Sequence, residues 1–307
     1  ILLVILHFIM KKIYNFSIIL SFVGLWVTSI FSGNTEIILG FFLIFSFGIL
    51  HGSNDLLLIH TFSNIPSRLM FLKILGLYIA IILLAVMLFY FIPSIALILF
   101  VLFSAFHFGE QHWESKQLNI SSTLSQFFYF FYGLLVLQIL FVLNADDVIL
   151  TIASITTYSI PETLISTILN LNIIVLLVLS VVIYRKSENF RNSVALETFY
   201  LLIFCIIFKV STLIWGFTIY FILWHSIPSL YDQIKFIYGD YTKQNCLNYF
   251  RNAFPYWLVS IIGIIVVYNI IKDERIVNAI LFSFIAAITF PHALVMSNMF
   301  SKYKKRT

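Results

Sequence analysis

Long apolar runs separated by short polar gaps dominate the hydropathy pattern along this chain. Most runs have about 17 to 25 residues, the length that an α-helix needs to cross the hydrocarbon core of a bilayer. The pattern lacks the strand-period alternation of outer-membrane barrels, so it predicts a polytopic helical membrane protein. The predicted spans are 13–31, 37–59, 69–92, 94–113, 124–143, 163–184, 194–208, 210–228, 255–271 and 276–298.

The composition supports the same fold class. Hydrophobic residues make up 61% of the chain, charged residues only 10%, and the mean hydropathy is +1.03. A soluble globular domain carries about 25% charged residues. We therefore expect an all-α membrane protein of about ten transmembrane helices. The division of 194–228 near Lys209 is the least regular, because this stretch is too long for one helix and short for two.

The distribution of positive charge predicts the orientation. With a cytoplasmic N-terminus, 15 of the 18 Lys and Arg residues fall on the cytoplasmic side, and only Lys209, Lys272 and Arg275 fall outside. This bias follows the positive-inside rule and supports the count of ten. The net charge of +5 reflects the same loop lysines and arginines. No basic stripe accompanies it, so we expect no nucleic-acid partner and a multi-pass protein of the cell (inner) membrane.

One domain is expected: a transmembrane helical bundle over 13–300, between an N-terminal extension (1–12) and a basic cytoplasmic tail (301–307). Residues 10–12, Met-Lys-Lys, resemble a natural start, which makes His7 incidental. The apolar segment that follows also resembles a signal peptide, although an uncleaved helix is favoured.

Two polar segments and two cysteines complete the outline. Residues 144–162 are interpreted as an external connection with an interfacial segment, and 229–252 as an internal loop that can hold an amphipathic helix. Cys205 and Cys246 are expected to be free thiols. Any metal site must then use histidine and carboxylate ligands.

Four histidines lie near the ends of apolar runs: His51, His107, His225 and His292. In the predicted topology they fall on spans two, four, eight and ten, which all run inward, at about 14 to 17 residues from the start of each span. At about 1.5 Å per residue they reach a similar depth, in the cytoplasmic third of the bilayer. Ionisable groups inside a span are costly and mark function. We expect these four to bind one metal ion, whereas His60 and His112 suit an interfacial role at span ends.

Two carboxylates accompany the histidines. Asp55 follows His51 by four residues, and Glu110 follows His107 by three. Each can accept the second ring N–H of a metal-bound histidine, which we favour, or ligate the metal directly, or make a simple polar contact between helices. Further polar side chains that can line the inner mouth of the site are Asn54, Gln111, Trp113, Ser226 and Asp232.

The ligand types restrict the metal. Neutral imidazoles suit Fe, Zn, Cu or Ni. The sequence lacks the HExxH pattern of zinc hydrolases and the HxxxH and HxxHH clusters of diiron enzymes, which favours a single ion. Iron(II) with four neutral ligands would keep open positions for dioxygen.

The ordered motifs resemble those of the Brp/Blh family, bacterioopsin-related membrane enzymes that cleave β-carotene to retinal. The matching elements are His51-Gly52 with Asp55, His107-Phe108-Gly109, His225-Ser226 and Pro291-His292. They occur in the family's order and at similar spacing, so the resemblance covers about 36–300. It implies a helical membrane bundle, iron bound by histidines, and O2-dependent cleavage of the central 15,15′ double bond.

One position departs from the family pattern. Members can carry a second histidine four residues after the one that matches His225, and this chain has Ser229 there, preceded by Pro228. Either His292 completes the ligand set or the coordination differs in this branch. Pro291 can open the helix backbone beside His292 and let the imidazole turn inward.

The resemblance also implies the partners. The substrates would be β-carotene, which enters laterally from the lipid bilayer, and O2, and the retinal product could pass to a rhodopsin in the same membrane. Two alternatives stay open at this point. One is a metal or proton transporter whose histidines form a translocation path. The other is an oxidative enzyme that acts on another isoprenoid lipid.

Overall fold

The computed structural model describes residues 2–31, 33–63, 68–270 and 274–306, and within these ranges every regular element is a helix and there are no strands. The helices are α1 Leu2–Ile30, α2 Gly33–Leu43, the π-helical π1 Ile44–Gly48, α3 Ile49–Gly52, α4 Asp55–Ser63, α5 Arg68–Phe91, α6 Pro93–Trp113, a 3-10 turn Glu114–Lys116, α7 Ser122–Leu143, α8 Ala145–Thr156, α9 Glu162–Lys186, α10 Glu188–Val210, α11 Leu213–Ile219, the π-helical π2 Tyr220–Ser226, α12 Ile227–Tyr238, α13 Lys243–Ile270 and α14 Glu274–Arg306.

Within the described ranges, ten helical stretches are long and apolar enough to cross a membrane, which confirms the predicted all-α polytopic fold. They are Ile13–Ile30, Gly33–Ser63, Arg68–Phe91, Pro93–Lys116, Ser122–Leu143, Glu162–Lys186, Glu188–Val210, Leu213–Tyr238, Lys243–Val266 and Ser283–Lys302. The chain is a multi-pass membrane protein. The cytoplasmic N-terminus stays a prediction.

The helix boundaries correct the sequence analysis at one loop. The division near Lys209 is present, because α10 ends at Val210 and the Thr212 hydroxyl caps the next helix. The predicted internal loop 229–252 is wrong in extent, since α12 continues to Tyr238 and α13 begins at Lys243. Pro228 follows π2 directly within the helical stretch Leu213–Tyr238, and α12 continues beyond it, so Pro228 does not end the span.

The chain ends also differ from the expected outline. Helix α1 begins at Leu2, so the predicted N-terminal extension is part of this helix. The side chains of residues 2–12, including His7, lie outside the described residues. The predicted basic tail is helical to Arg306. The segment 144–162, which was predicted to be external, contains the helix α8.

The chain divides into two compact units. Unit 1 comprises Ile1–Ile44, Ala105–Ile149 and Ile160–Pro228, and unit 2 comprises Phe45–Ser104, Leu150–Ser159 and Ser229–Thr307. The single-domain organisation stays a prediction.

In unit 1, α7 packs against α9, α10 and α11, and α1 packs against α10 and π2. Two glycines bring α6 and α7 into backbone contact. A Cβ atom on Gly109 would lie 1.8 Å from the Tyr129 carbonyl oxygen, and one on Gly133 would lie 1.9 Å from that of Ala105. Neither position can therefore carry a side chain unless the helices separate, which is how small residues let membrane helices approach closely.

In unit 2, α14 packs against α3, α4, α5 and α13, and α13 also contacts α3. Small side chains again permit the close packing: Ala85 and Ala96 meet Ala286 and Ala287 beside Phe290. Nearer the C-terminal end of α14, Met296, Met299 and Phe300 pack with Leu58 and Phe236.

Candidate functional site

Unit 2 brings two of the four predicted histidines together. His51 from α3 and His292 from α14 are buried, with ring centroids 4.7 Å apart and ring planes at 88°. Edge-to-face packing of aromatic rings is worth about 0.5–1.5 kcal/mol. That gain is small beside the cost of burying four ring nitrogens, so the hydrogen bonds of these rings decide what the pair can do.

The hydrogen bonds assign the tautomer of both rings. The Nδ1 atom of His51 contacts the Gly48 carbonyl oxygen, and the Nδ1 atom of His292 lies 2.8 Å from Oδ1 of Asp55. A carbonyl and a carboxylate only accept hydrogen bonds, so each ring donates from Nδ1. In the neutral form this leaves the Nε2 lone pair of each ring as the electron donor, as in metal-binding histidines whose other N–H is held by an acceptor.

A further layer of polar contacts surrounds this pair. The Tyr78 hydroxyl donates to Oδ2 of Asp55 at 2.8 Å, so both carboxylate oxygens of Asp55 have partners. The Tyr249 hydroxyl lies 3.2 Å from the His51 carbonyl oxygen, and the Asn54 amide donates to the Tyr249 carbonyl at 3.0 Å. These contacts hold α3, α5 and α13 around the pair.

The local backbone bears on why Asp55 accepts a hydrogen bond from His292. The sequence analysis placed His51 and Asp55 four apart on one continuous helix, but α3 ends at Gly52 and α4 begins at Asp55, with a turn between them. Asp55 is the first residue of α4, and its Oδ1 atom contacts the His292 ring. Gly52 lies against the His292 ring, since a Cβ atom placed on Gly52 would be only 3.5 Å from the Nδ1 atom of His292. The helix α14 runs through Pro291 without a break.

Unit 1 brings the other two predicted histidines together. His107 from α6 and His225 from π2 are buried, with ring centroids 4.7 Å apart and planes at 80°. Their described neighbours include aromatic side chains. Phe221 stacks on His225 at 5.5 Å and 17°, and Phe108 lies 4.6 Å from it.

Backbone geometry places this second pair. The reciprocal glycine contact between α6 and α7 includes Gly109, two residues after His107, and holds this part of α6 close against α7. His225 lies on a π-helical segment, an irregularity that is frequent at functional sites. A second π-helical segment, Ile44–Gly48, ends three residues before His51.

The remaining predicted residues fall as follows. Glu110 is buried on α6, within one turn of His107. Of the side chains expected at an inner mouth, Asp232 is half-buried and four are buried: Asn54, Gln111, Trp113 and Ser226. His60 is exposed on α4, in keeping with its expected interfacial role. Cys205 and Cys246 are free thiols, as predicted.

The sequence analysis missed a buried ionic network in unit 1. It gave His112 an interfacial role, but the His112 ring is 1% exposed, and its Nε2 atom lies 2.5 Å from Oε2 of Glu197. The Lys116 ammonium donates to Oε1 of Glu197 at 2.8 Å and lies 4.4 Å from the Trp113 ring. A glutamate within an apolar span is the signal that should have revealed this network, because an intramembrane charge requires a partner.

The donor set fits a late first-row metal. The described site residues supply imidazole nitrogens, and in the two rings of unit 2 the Nδ1 contacts leave Nε2 as the donor atom of the neutral form. Imidazole suits iron, zinc, copper and nickel. The fold and the two buried histidine pairs therefore define a class: polytopic helical membrane proteins with intramembrane histidines able to bind a metal.

A comparison with protein families narrows this class. The profile of the beta-carotene 15,15'-dioxygenase family matches residues 42–300, which include all four histidines. The chain belongs to the beta-carotene 15,15'-dioxygenase family. No curated protein and no solved structure matches it.

Proposed function

We propose that this protein cleaves β-carotene at the central 15,15′ double bond with O2, giving two molecules of retinal, in the cell (inner) membrane. The reaction balances without a further reductant: one C=C bond breaks, two C=O bonds form, and the two oxygen atoms of O2 are used. The family match carries the reaction class. The two pairs of buried histidines support a bound metal ion, and they are the observation on which this proposal depends.

The proposed cofactor is iron(II), held by His51, His107, His225 and His292. Iron(II) with histidine ligands would supply the activation of dioxygen that cleavage of a C=C bond by O2 requires. The four histidines lie at a similar predicted depth on inward-running spans, which is what one shared ion would need. Asp55 and the Gly48 carbonyl accept the Nδ1 protons of two rings, which makes Nε2 the donor atom of each ring.

The surrounding side chains suit an apolar substrate. β-Carotene has no polar group, so an enzyme can place its central double bond only by shape and by the length of an apolar slot. Phe108 and Phe221 pack on the His225 ring and give that face of the ring an apolar environment. The burial of all four histidines also excludes water from the reacting atoms.

The proposal is tested in cells that accumulate β-carotene. Expression of the protein should bleach the cells and yield retinal by chromatography, and the purified protein should contain iron. The variants His51→Ala and His107→Ala should lose both retinal formation and iron. His60→Ala, which changes an exposed histidine close to His51 in the chain, should keep both.

Three other outcomes would contradict the proposal. Full iron occupancy in both His51→Ala and His107→Ala would remove the ligand assignment. Persistent colour with well-expressed, iron-loaded protein would indicate another isoprenoid substrate. Uptake of a metal ion or protons into vesicles, without any carotenoid cleavage, would favour a transporter.

A further inference from the structure

One face of α1 carries the small residues Ser17, Ser21 and Gly24. Ser17 and Ser21 are buried, although the neighbouring Phe16, Ile19 and Phe22 are exposed. A spacing of four residues puts both serines on the same face of the helix. This face packs against π2, the segment that carries His225. The family match begins at residue 42, so α1 lies outside it.

The π-helical segment leaves one carbonyl in need of a donor. The Ile227 N–H donates to the Ile222 carbonyl, five residues back, as in a π-helix. The corresponding donor for the Leu223 carbonyl would be residue 228, which is Pro228 and has no N–H. An unsatisfied buried carbonyl is costly, and in a membrane no water is present to replace the missing donor.

Ser17 supplies this donor. Its hydroxyl oxygen lies 2.6 Å from the Leu223 carbonyl oxygen and 3.1 Å from its own helix carbonyl at Ile13, so the contact between helices is the shorter one. The next residue of π2 is held as well, because the Trp224 indole N–H donates to the Ser21 hydroxyl at 2.9 Å. Both contacts end on the two residues that immediately precede His225.

A third hydrogen bond joins α1 to α11, the helix that leads into π2. The Trp215 indole N–H donates to the Gly24 carbonyl at 3.1 Å, and a Cβ atom on Gly24 would lie 2.9 Å from the Ile219 side chain. Ser17, Ser21 and Gly24 recur at helical spacing, and their contacts span α11 and π2. Three hydrogen bonds along α1 therefore hold the segment from Trp215 to Trp224 against this helix.

We propose that Ser17 and Ser21 of α1 are positioning residues, which hold π2 in the conformation that presents His225 to the metal. The inference rests on the proposed function in that it takes His225 as a ligand. The serines act through the backbone at Leu223 and through the Trp224 ring, and they do not touch substrate or metal.

The first test needs no metal. Hydrogen–deuterium exchange of residues 220–226 is measured in the full-length, metal-free protein in detergent, for the native chain, Ser17→Ala and Ser29→Ala. Ser29 is the matched control, because it is exposed on the same helix and its hydroxyl bonds only within α1 among the described contacts. We expect faster exchange in π2 for Ser17→Ala alone.

The second test measures iron affinity. Removal of a group that orients a metal ligand typically costs about 10–100-fold in metal affinity. We expect a loss of about 10-fold in Ser17→Ala, native affinity in Ser29→Ala, and recovery in Ser17→Thr, which keeps the hydroxyl. For Ser21, the double variant Ser21→Ala/Trp224→Phe should lose no more affinity than Trp224→Phe, because both changes remove the same hydrogen bond.

The outcomes separate this inference from the proposed function. Native exchange and native iron affinity in Ser17→Ala would overturn the inference. Faster exchange with unchanged iron affinity, while His225→Ala loses iron, would also overturn it, since π2 would then be held without any effect on the ligand. Full iron occupancy in His225→Ala would contradict the ligand assignment of the proposed function, and the exchange experiment would still decide whether α1 holds π2.

Discussion

His51 and His292 in unit 2 are oriented by hydrogen bonds to a carbonyl and a carboxylate, whereas Phe108 and Phe221 pack on His225 beside His107 in unit 1. The ring separations are equal, at 4.7 Å in both pairs. The same arrangement of two imidazoles is thus reached by two routes. In unit 2, a backbone carbonyl and a side-chain carboxylate determine the directions of the two rings. In unit 1, the backbone contributes through a helix crossing at glycine and a π-helical segment.

This difference predicts where each pair is vulnerable. A ring held by a charged acceptor should respond strongly to a change of that acceptor, because a hydrogen bond to a carboxylate is about twice as strong as a neutral one. A ring held by apolar packing should respond weakly to one neighbouring side chain, since several contacts share the task.

The largest effect is expected from removal of one ring of each pair. His292→Ala and His225→Ala should each lower iron affinity more than about 100-fold, beyond the range for residues that only orient ligands. Metal analysis of the purified protein measures this, with His60→Ala as the exposed control. If one variant kept its iron, the pair that contains it would be a packing contact rather than half of the metal site.

A smaller effect is expected at the carboxylate of unit 2. Asp55→Asn keeps the size of the side chain but replaces a charged acceptor of the His292 N–H with a neutral one. We expect iron affinity to fall about 10–100-fold. Iron titration of the apo protein measures this, and Asp146→Asn, at an exposed position on α8, is the control. Unchanged affinity in Asp55→Asn would mean that Asp55 only joins helices.

The sequence alone was enough for the helical fold, because the apolar runs are long and each is bounded by polar residues. It also singled out the four histidines that the structure buries in two pairs, since an intramembrane imidazole stands out against its neighbours. It did not reveal the partner of Asp55, which lies 237 residues further along the chain at His292. That contact depends on the packing of α4 against α14 and on a helix break after Gly52, and neither leaves a periodic signal.

The two missed features of unit 1 have different causes. The π2 segment depends on Pro228 and on a donor from α1, which is 206 residues away in the contact of Ser17 with Leu223. No local pattern encodes such a contact. The network of His112 and Glu197 could have been inferred, because a glutamate inside an apolar run requires a partner.

The smallest effect is expected from a change to the aromatic ring that stacks on His225. Phe221→Leu removes the ring that stacks on His225 but keeps an apolar side chain in the same place. An aromatic pair contributes about 0.5–1.5 kcal/mol beyond its burial, which corresponds to a loss of roughly 2- to 10-fold in iron affinity. Iron titration measures this beside Phe199→Leu, an exposed phenylalanine of unit 1, and the thermal midpoint of each variant reports any loss of packing. A loss as large as that of Asp55→Asn, at an unchanged thermal midpoint, would show that one stacked ring orients His225 as firmly as a carboxylate orients His292. The distinction between the two pairs would then fail, because aromatic packing and hydrogen bonding would hold their ligands equally well.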